Sequence, residues 1–423
     1  MRTRLWRYSI ACLCAFAALG CGSDAHAKLA AIDAISGGPS APDSGGVSPA
    51  GTNDPLNAAG AKSSALGSSK GAGVGGGVTL AGAGSQPVAG QSAADAGQSA
   101  DGAAGQPSAG AAGQPQRAGR AGQPAAAGGT SSLFFLNATG AQLLSANSDG
   151  SARKVIVQGK GVGPDGVAVD VSAGHAYWTN MGVPSADDGT ILRADLDGGH
   201  VTTIVAAGGT FTPKQLKLDA QHGKLYWSDR EGMRVMRANL DGSMIETLFS
   251  SGSGETDRAD ASKWCVGIAL DLSGGKFYWS QKGGDNARQG TIKRANLELP
   301  AGQTAANRSD IEVLFKNLPE PIDLELELDK RLLYWTDRGD NTVSRAPLEP
   351  APGFDPAART DRQILVRGIA EAIGIALDLR RGRLFYTSLA GVVASAGLDG
   401  SDAHNVLTGQ GALTGIALVE LPD

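Results

Sequence analysis

The chain has 423 residues, 62 of them glycine, and glycine and alanine crowd into its first third. A formal net charge of −5 gives no electrostatic drive toward nucleic acid. Of the four cysteines, Cys12, Cys14 and Cys21 lie near the start and Cys265 stands alone in the rest, which excludes a disulfide framework or a cysteine-rich metal site there.

Residues 1–21 come first. Arg2, Arg4 and Arg7 precede an apolar run from Ile10 to Leu19. The run is too short to span a bilayer and has the layout of a secretory signal. It ends at Ala18-Leu19-Gly20-Cys21. This end resembles a bacterial lipoprotein signal, although the leucine usual three places before the cysteine is Ala18, with Leu19 one place late. The resemblance implies lipid attachment at Cys21. Gly22, where some lipoproteins carry Asp, implies sorting to the outer membrane, facing the periplasm or the surface. The alternative is plain secretion after Ala25-His26-Ala27.

Residues 22–131 are Ala, Gly, Ser, Gln and Pro in loose repeats such as AGQSA and AGQPSAG. They hold too few large apolar side chains to offset the entropy of ordering, so this segment reads as a disordered tether. Random-coil scaling gives it a reach on the order of 50–60 Å. The string Gly71–Gly76 matches a dinucleotide-loop pattern, but no strand precedes it and no helix follows, so composition accounts for it.

Residues 132–423 change character. An aromatic slot recurs at Phe134, Tyr177, Tyr226, Tyr278, Tyr334 and Phe385, one unit about every fifty residues. Each unit has four β-type runs. First runs include Gly166–Asp170, Gln215–Asp219, Gly267–Asp271, Asp323–Glu327, Gly374–Asp378 and Gly415–Val419. Third runs read VMRANL, IKRANL or VSRAPL, and several end in Asp-Gly, which supplies the positive φ of a tight hairpin. The first unit lacks a first run, and Gly415–Val419 is a first run with nothing after it. Together they complete one sheet. The expected fold is all-β, a six-bladed β-propeller of four-stranded blades closed by strands from both ends.

The strings AYWTN, LYWSD, FYWSQ and LYWTD, each followed by Ile/Val-x-Arg-Ala, resemble the YWTD β-propeller of the low-density lipoprotein receptor family. The resemblance covers about two thirds of the chain. It implies that the motif aspartate makes structural contacts between blades, which Asp229 and Asp337 match, whereas Asn137, Asn180, Gln281 and Ser388 depart. The recurrent Trp178, Trp227, Trp279 and Trp335 read as core between blades, not as sugar-stacking platforms.

The site residues are less legible. First runs border a central channel, and two of them are polar: Gln215-Leu216-Lys217 and Asp323-Leu324-Glu325. With Asp165 and Glu371 they suggest either a hydrated channel holding a Lys217–Glu325 pair or, as the alternative, the divalent metal site of a lactonase- or hydrolase-type propeller. No catalytic constellation stands out, and His175, His200, His222 and His404 all fall in turns of the opposite face. The leading expectation is a non-enzymatic, monomeric module without cofactor or metal. It would bind a protein or an envelope polysaccharide, touching membrane only through its N-terminal lipid. Three long loops, Gly182–Gly189, Ser251–Trp264 and Lys282–Gly290, share one face. Together with Arg230, they place Asp187, Asp188, Asp285 and Arg288 around Trp264 as a polar rim about an aromatic anchor.

Overall fold

The computed structural model describes residues 131–421. The expected signal, the expected lipid site Cys21 and the expected tether lie outside the described residues. Six four-stranded antiparallel sheets are arranged around one axis. Blade 1 spans 131–158 and is completed by Leu413–Glu420 on its inner edge. Blades 2 to 6 span 164–205, 213–250, 265–318, 321–367 and 372–407. The closure expected from the two incomplete ends is therefore present: Ser132 pairs with Val419, Phe134 with Ala417 and Asn137 with Leu413.

Alternation along the second strand of each blade explains the core. In Leu332–Asp337 the side chains turn to the two sides of the sheet in alternation. Tyr334 packs with Val343, Ile375 and Tyr386, whereas Trp335 packs with Phe315 and Leu324. Trp178, Trp227, Trp279 and Trp335 are all buried between blades, as the repeat predicts.

The motif hydroxyl joins the blades. Thr179, Ser280, Thr336 and Thr387 each accept an N–H from their own innermost strand and donate to a carbonyl of the next one, at Lys214, Ile322, Ile373 and Thr414. Ser228 donates to Gly267 O. Blade 1 carries Leu136 at this position, and Thr414 Oγ1 donates to Pro164 O instead, at 2.8 Å. The direct bond between blades thus sits one residue before the aspartate. The aspartate instead holds the connector arriving from the preceding blade. Asp229 accepts from Phe211 N and Thr212 N at 2.9 and 2.7 Å, and Asp337 accepts from Glu320 N at 2.9 Å. Of the departures, Gln281 still reaches its connector at Ser262 O, while Asn137 and Asn180 bond only the following turn or strand.

Asp337 is buried, and its Oδ2 has no hydrogen-bond partner. Burial, reinforced by the nearby Asp340, pushes its carboxyl up to about 7. A carboxyl raised on folding binds a proton where the unfolded chain has lost it, so its contribution to stability falls as the pH rises from about 4 toward 7. Asp337→Asn should therefore gain stability relative to the native chain over that window. Melting temperatures across the window check this, and parallel pH profiles for the two proteins would show that the Asp337 carboxyl is not raised.

A second ring runs around the outer rim. Each fourth strand carries a β-bulge at the same place, at Ile156, Ile204, Leu248, Leu314, Leu365 and Val406. A bulge leaves its residue out of the ladder. All six bulge carbonyls are covered by the connection between strands three and four of the following blade. In four blades the cover is the glycine of an Asp-Gly turn: Gly150 on Val406 O, Gly198 on Ile156 O, Gly242 on Ile204 O and Gly400 on Leu365 O. In blades 4 and 5 that connection is long, and an arginine takes the place. Arg308 donates to Leu248 O at 2.6 Å and lies over the Phe277 ring; Arg359 donates to Leu314 O at 3.4 Å and lies over Phe315. Both loops also bond the outer strand behind them, through Ser250 N to Ala305 O and Lys316 N to Pro356 O.

Candidate functional site: the channel mouth

The residue that follows the aromatic motif is Ala138, Met181, Arg230, Lys282, Arg338 or Leu389, one per blade. All six converge on the axis, where they meet Asp165, Lys214, Val266, Ile322, Ile373 and Thr414 of the innermost strands around a cavity of ≈ 40 Å³. That is room for about one water molecule. Of the six residues after the motif, those of blades 3 to 5 are cations, and those of blades 6, 1 and 2 are aliphatic or a thioether.

The cations are buried and matched. Lys214 Nζ lies 2.6 Å from Asp165 Oδ2 and 3.0 Å from Met181 Sδ. Burial lowers the pKa of the Lys214 amine even against the Asp165 charge. Arg230 is bidentate on Glu231. Lys282 and Arg338, from adjacent blades, share Glu320 at 2.7 and 2.8 Å and Asp285 at 2.9 and 3.0 Å. Such pairs hold geometry in place more than they add stability, because desolvation offsets much of the attraction. Deeper in the channel, Lys217 Nζ meets Glu325 Oε1 at 2.6 Å, the pair expected from the two polar first runs. Asp323 beside them accepts backbone N–H groups from Leu324 and Ile375, and burial pushes its carboxyl up to about 7.

These contacts leave the carboxylates dispersed. Asp165 serves Lys214 and Gln215, and Asp323 serves backbone. Among the described residues no group of three His, Cys, Asp or Glu side chains is placed to hold a metal ion.

The expected aromatic anchor is corrected. Trp264 is buried, at 3% exposure. The connector before it folds back as a short helix, Gly254–Arg258, and a single turn, Ala261–Lys263, and the indole Nε1 donates to Arg258 O beneath them. Trp264 pins its own loop, with Arg230 and Lys282 over its ring at 4.9 and 5.6 Å. Arg230 is likewise buried rather than part of an exposed rim. Asp285 does stand at the mouth. Asp187, Asp188 and Arg288 stay on their own loops and form no ion pair among the described residues; Asp188 Oδ1 accepts from Val183 N.

Two exposed side chains flank the apolar half of the mouth. Val162 and Val183 are each 51% exposed. Their segments are tied together by Gly182 N to Val162 O and Met181 N to Gly163 O. Sequence reasoning missed them, along with Lys214, Lys282, Arg338 and Glu320. For Lys282 and Arg338 the available signal was the residue after each motif, read down the repeat as a column.

The described residues begin and end on the other face. Ala138 at the mouth follows the strand Ser131–Asn137, so Ser131 lies at the opposite end. Glu420 pairs with Ser131, and Arg381 bonds both.

No family model matches the sequence. A low-density lipoprotein receptor-related protein 1 from Pyricularia oryzae is 43% identical over 290 residues, 66% of this chain and 92% of that protein. The chain belongs to the low-density lipoprotein receptor-related YWTD propeller family. A second relative of this YWTD propeller is the 3-hydroxyacyl-CoA dehydrogenase-like protein LAM1 of Cochliobolus heterostrophus. It is 39% identical over 265 residues, 60% of this chain and 56% of that protein. Both relatives are fungal, so they add nothing to the bacterial lipoprotein reading of the N-terminus. Among solved structures, a chain of a nidogen/laminin complex superposes with a TM-score of 0.53 at 21% identity, over 69% of this chain and all of that one. That likeness speaks for the fold alone.

Proposed function

We propose that this YWTD propeller is a non-enzymatic protein-binding module that presents its channel-mouth face to a partner while its N-terminal segment leaves from the opposite face. The observation that carries the reading is this polarity: exposed Val162 and Val183 stand beside Met181 on the face that holds the channel mouth, and Ser131 and Glu420 lie on the other. A cavity of ≈ 40 Å³ has no room for a sugar ring, and the motif indoles are buried, so a protein surface fits better than a polysaccharide. Attachment through Cys21 in a cell envelope would hold the mouth face outward at the end of the tether.

The test is capture of envelope proteins from the source organism by the full chain, with Val183→Asp and Cys21→Ser run beside it. A charge in the middle of an apolar contact should weaken capture of a specific partner at least tenfold without loss of fold. Cys21→Ser should move the protein from the membrane to the soluble fraction and leave capture unchanged. Equal capture by Val183→Asp would place the binding face elsewhere, and unchanged membrane association of Cys21→Ser would end the anchor reading.

A further inference from the structure

The mouth contains one carboxylate unlike the rest. Glu231 and Glu320 belong to the floor and are buried, at 4% and 2% exposure. The Asp285 side chain is 53% exposed and comes from the loop between strands two and three of blade 4. It bridges Lys282 and Arg338, two mouth cations on neighbouring blades that are themselves buried. Little else fastens that loop. Gly283 and Gly284 open it, Gly283, Asn286 and Arg288 have positive φ, and its internal bonds are Ala287 N to Gly284 O and Gly284 N to Gln289 Oε1. Asp285 thus ties residues 283–289 across to Arg338 of blade 5, beside the contact that Lys282 makes with Glu320.

Resting on the reading of the mouth as the binding face, we infer that Asp285 is an internal ligand: it occupies a carboxylate subsite formed by Lys282 and Arg338, and an aspartate or glutamate of the partner displaces it. The exchange is electrostatically even, one carboxylate for another on the same two cations. It differs in what moves, because the loop lifts as Asp285 leaves and the floor beneath becomes reachable. The chemistry suits a carboxylate well. Arginine offers paired donors and lysine a compact charge, and both act here at low dielectric, where an ionised acceptor is favoured over a neutral amide. Burial opposes charge on Asp285, but Lys282 and Arg338 outweigh it and keep its carboxyl below the usual range. A self-occupied site binds its ligand more weakly by the fraction of time it stands open.

The experiment uses the full chain and Asp285→Asn. Two probes are compared, acetyl-Ala-Asp-Ala-amide and its Asn counterpart, by titration, and amide hydrogen exchange is followed in residues 283–289. Removing the internal carboxylate should speed exchange in that loop at least tenfold with the rest of the propeller unchanged. It should also tighten binding of the Asp peptide about tenfold or more, with no gain for the Asn peptide. Equal Asp-peptide affinity in both proteins overturns the inference, as does an equal gain for the two peptides. Loop exchange that Asp285→Asn leaves unchanged also overturns it. The outcomes separate from those of the binding face: failure here together with loss of capture by Val183→Asp removes the internal ligand and keeps the mouth.

Discussion

Deleting Thr414–Asp423 should abolish the cooperative unfolding transition at physiological temperature. The segment supplies most of the inner strand of blade 1. Its loss exposes the backbone edge of Ser131–Asn137 along the ladder from Ser131–Glu420 to Phe135–Ile416. It also uncovers Leu133 and Phe135, buried in the same cluster as Ile416. Two blade-to-blade bonds vanish with it, Thr387 to Thr414 O and Thr414 to Pro164 O. So do the ion pairs of Arg380 and Arg381 with Glu420. These losses fall together on one closure, and they are large against a typical total stability of about 5–15 kcal/mol. Thermal melts by circular dichroism decide it. A truncated chain that melts within a few degrees of the native one would mean that the ring does not depend on its shared blade.

Gly242→Ala should be the most damaging single-methyl change on the surface. Gly242 has φ +82, a conformation that costs an alanine roughly 1–2 kcal/mol. A Cβ there would lie 1.8 Å from Ile204 O and 2.5 Å from its carbon, both backbone atoms of the neighbouring blade. Neither can yield without moving the bulge it belongs to. The expected loss is on the order of 3–5 kcal/mol, read from denaturant titration. Gly223→Ala is the control, since it shares a positive φ of +63 but has nothing within 4 Å of its Cβ. Equal losses in the two variants would assign the whole effect to φ and remove the rim contact from the account.

The pair also shows where sequence reasoning stopped. The Asp-Gly turns are legible, and their glycine reads as a demand of φ alone. That the same glycine must cover a bulge carbonyl in the next blade depends on a carbonyl leaving its ladder, which no residue type announces. Blades 4 and 5 hide the equivalence further, because Arg308 and Arg359 arrive from long loops that look like idle insertions. The six-blade fold, its closure and the Lys217–Glu325 pair were legible because each follows from repeat position. Trp264 was misplaced because its burial is decided by a connector folding back over it, through Arg258 O and the short helix, rather than by its place in the repeat. One regularity was in plain view and overlooked. Tyr177, Tyr226, Tyr278 and Tyr334 stand directly across from Arg193, Arg237, Arg294 and Arg345, while Phe134 and Phe385 stand across from Ser145 and Ser395. Where the phenol is missing, so is the guanidinium. The two act as one cross-strand unit.

The position of Ser131 has a mechanical consequence. A pull delivered through residue 130 enters the ring along the strand Ser131–Asn137, which is laddered on both sides, to Gln142–Asn147 and to Leu413–Glu420. With a partner holding the mouth face, the load runs from one end of that strand toward the other. The two ladders are then stressed in parallel, their hydrogen bonds sharing the force rather than failing one after another. Rupture under load is set by the barrier to unfolding, not by equilibrium stability. Shear across two ladders raises that barrier where peeling from an outer strand would lower it. A blade completed by strands from both ends of the propeller is thus a grip as well as a closure, and the strand that receives the load is buried along its whole length.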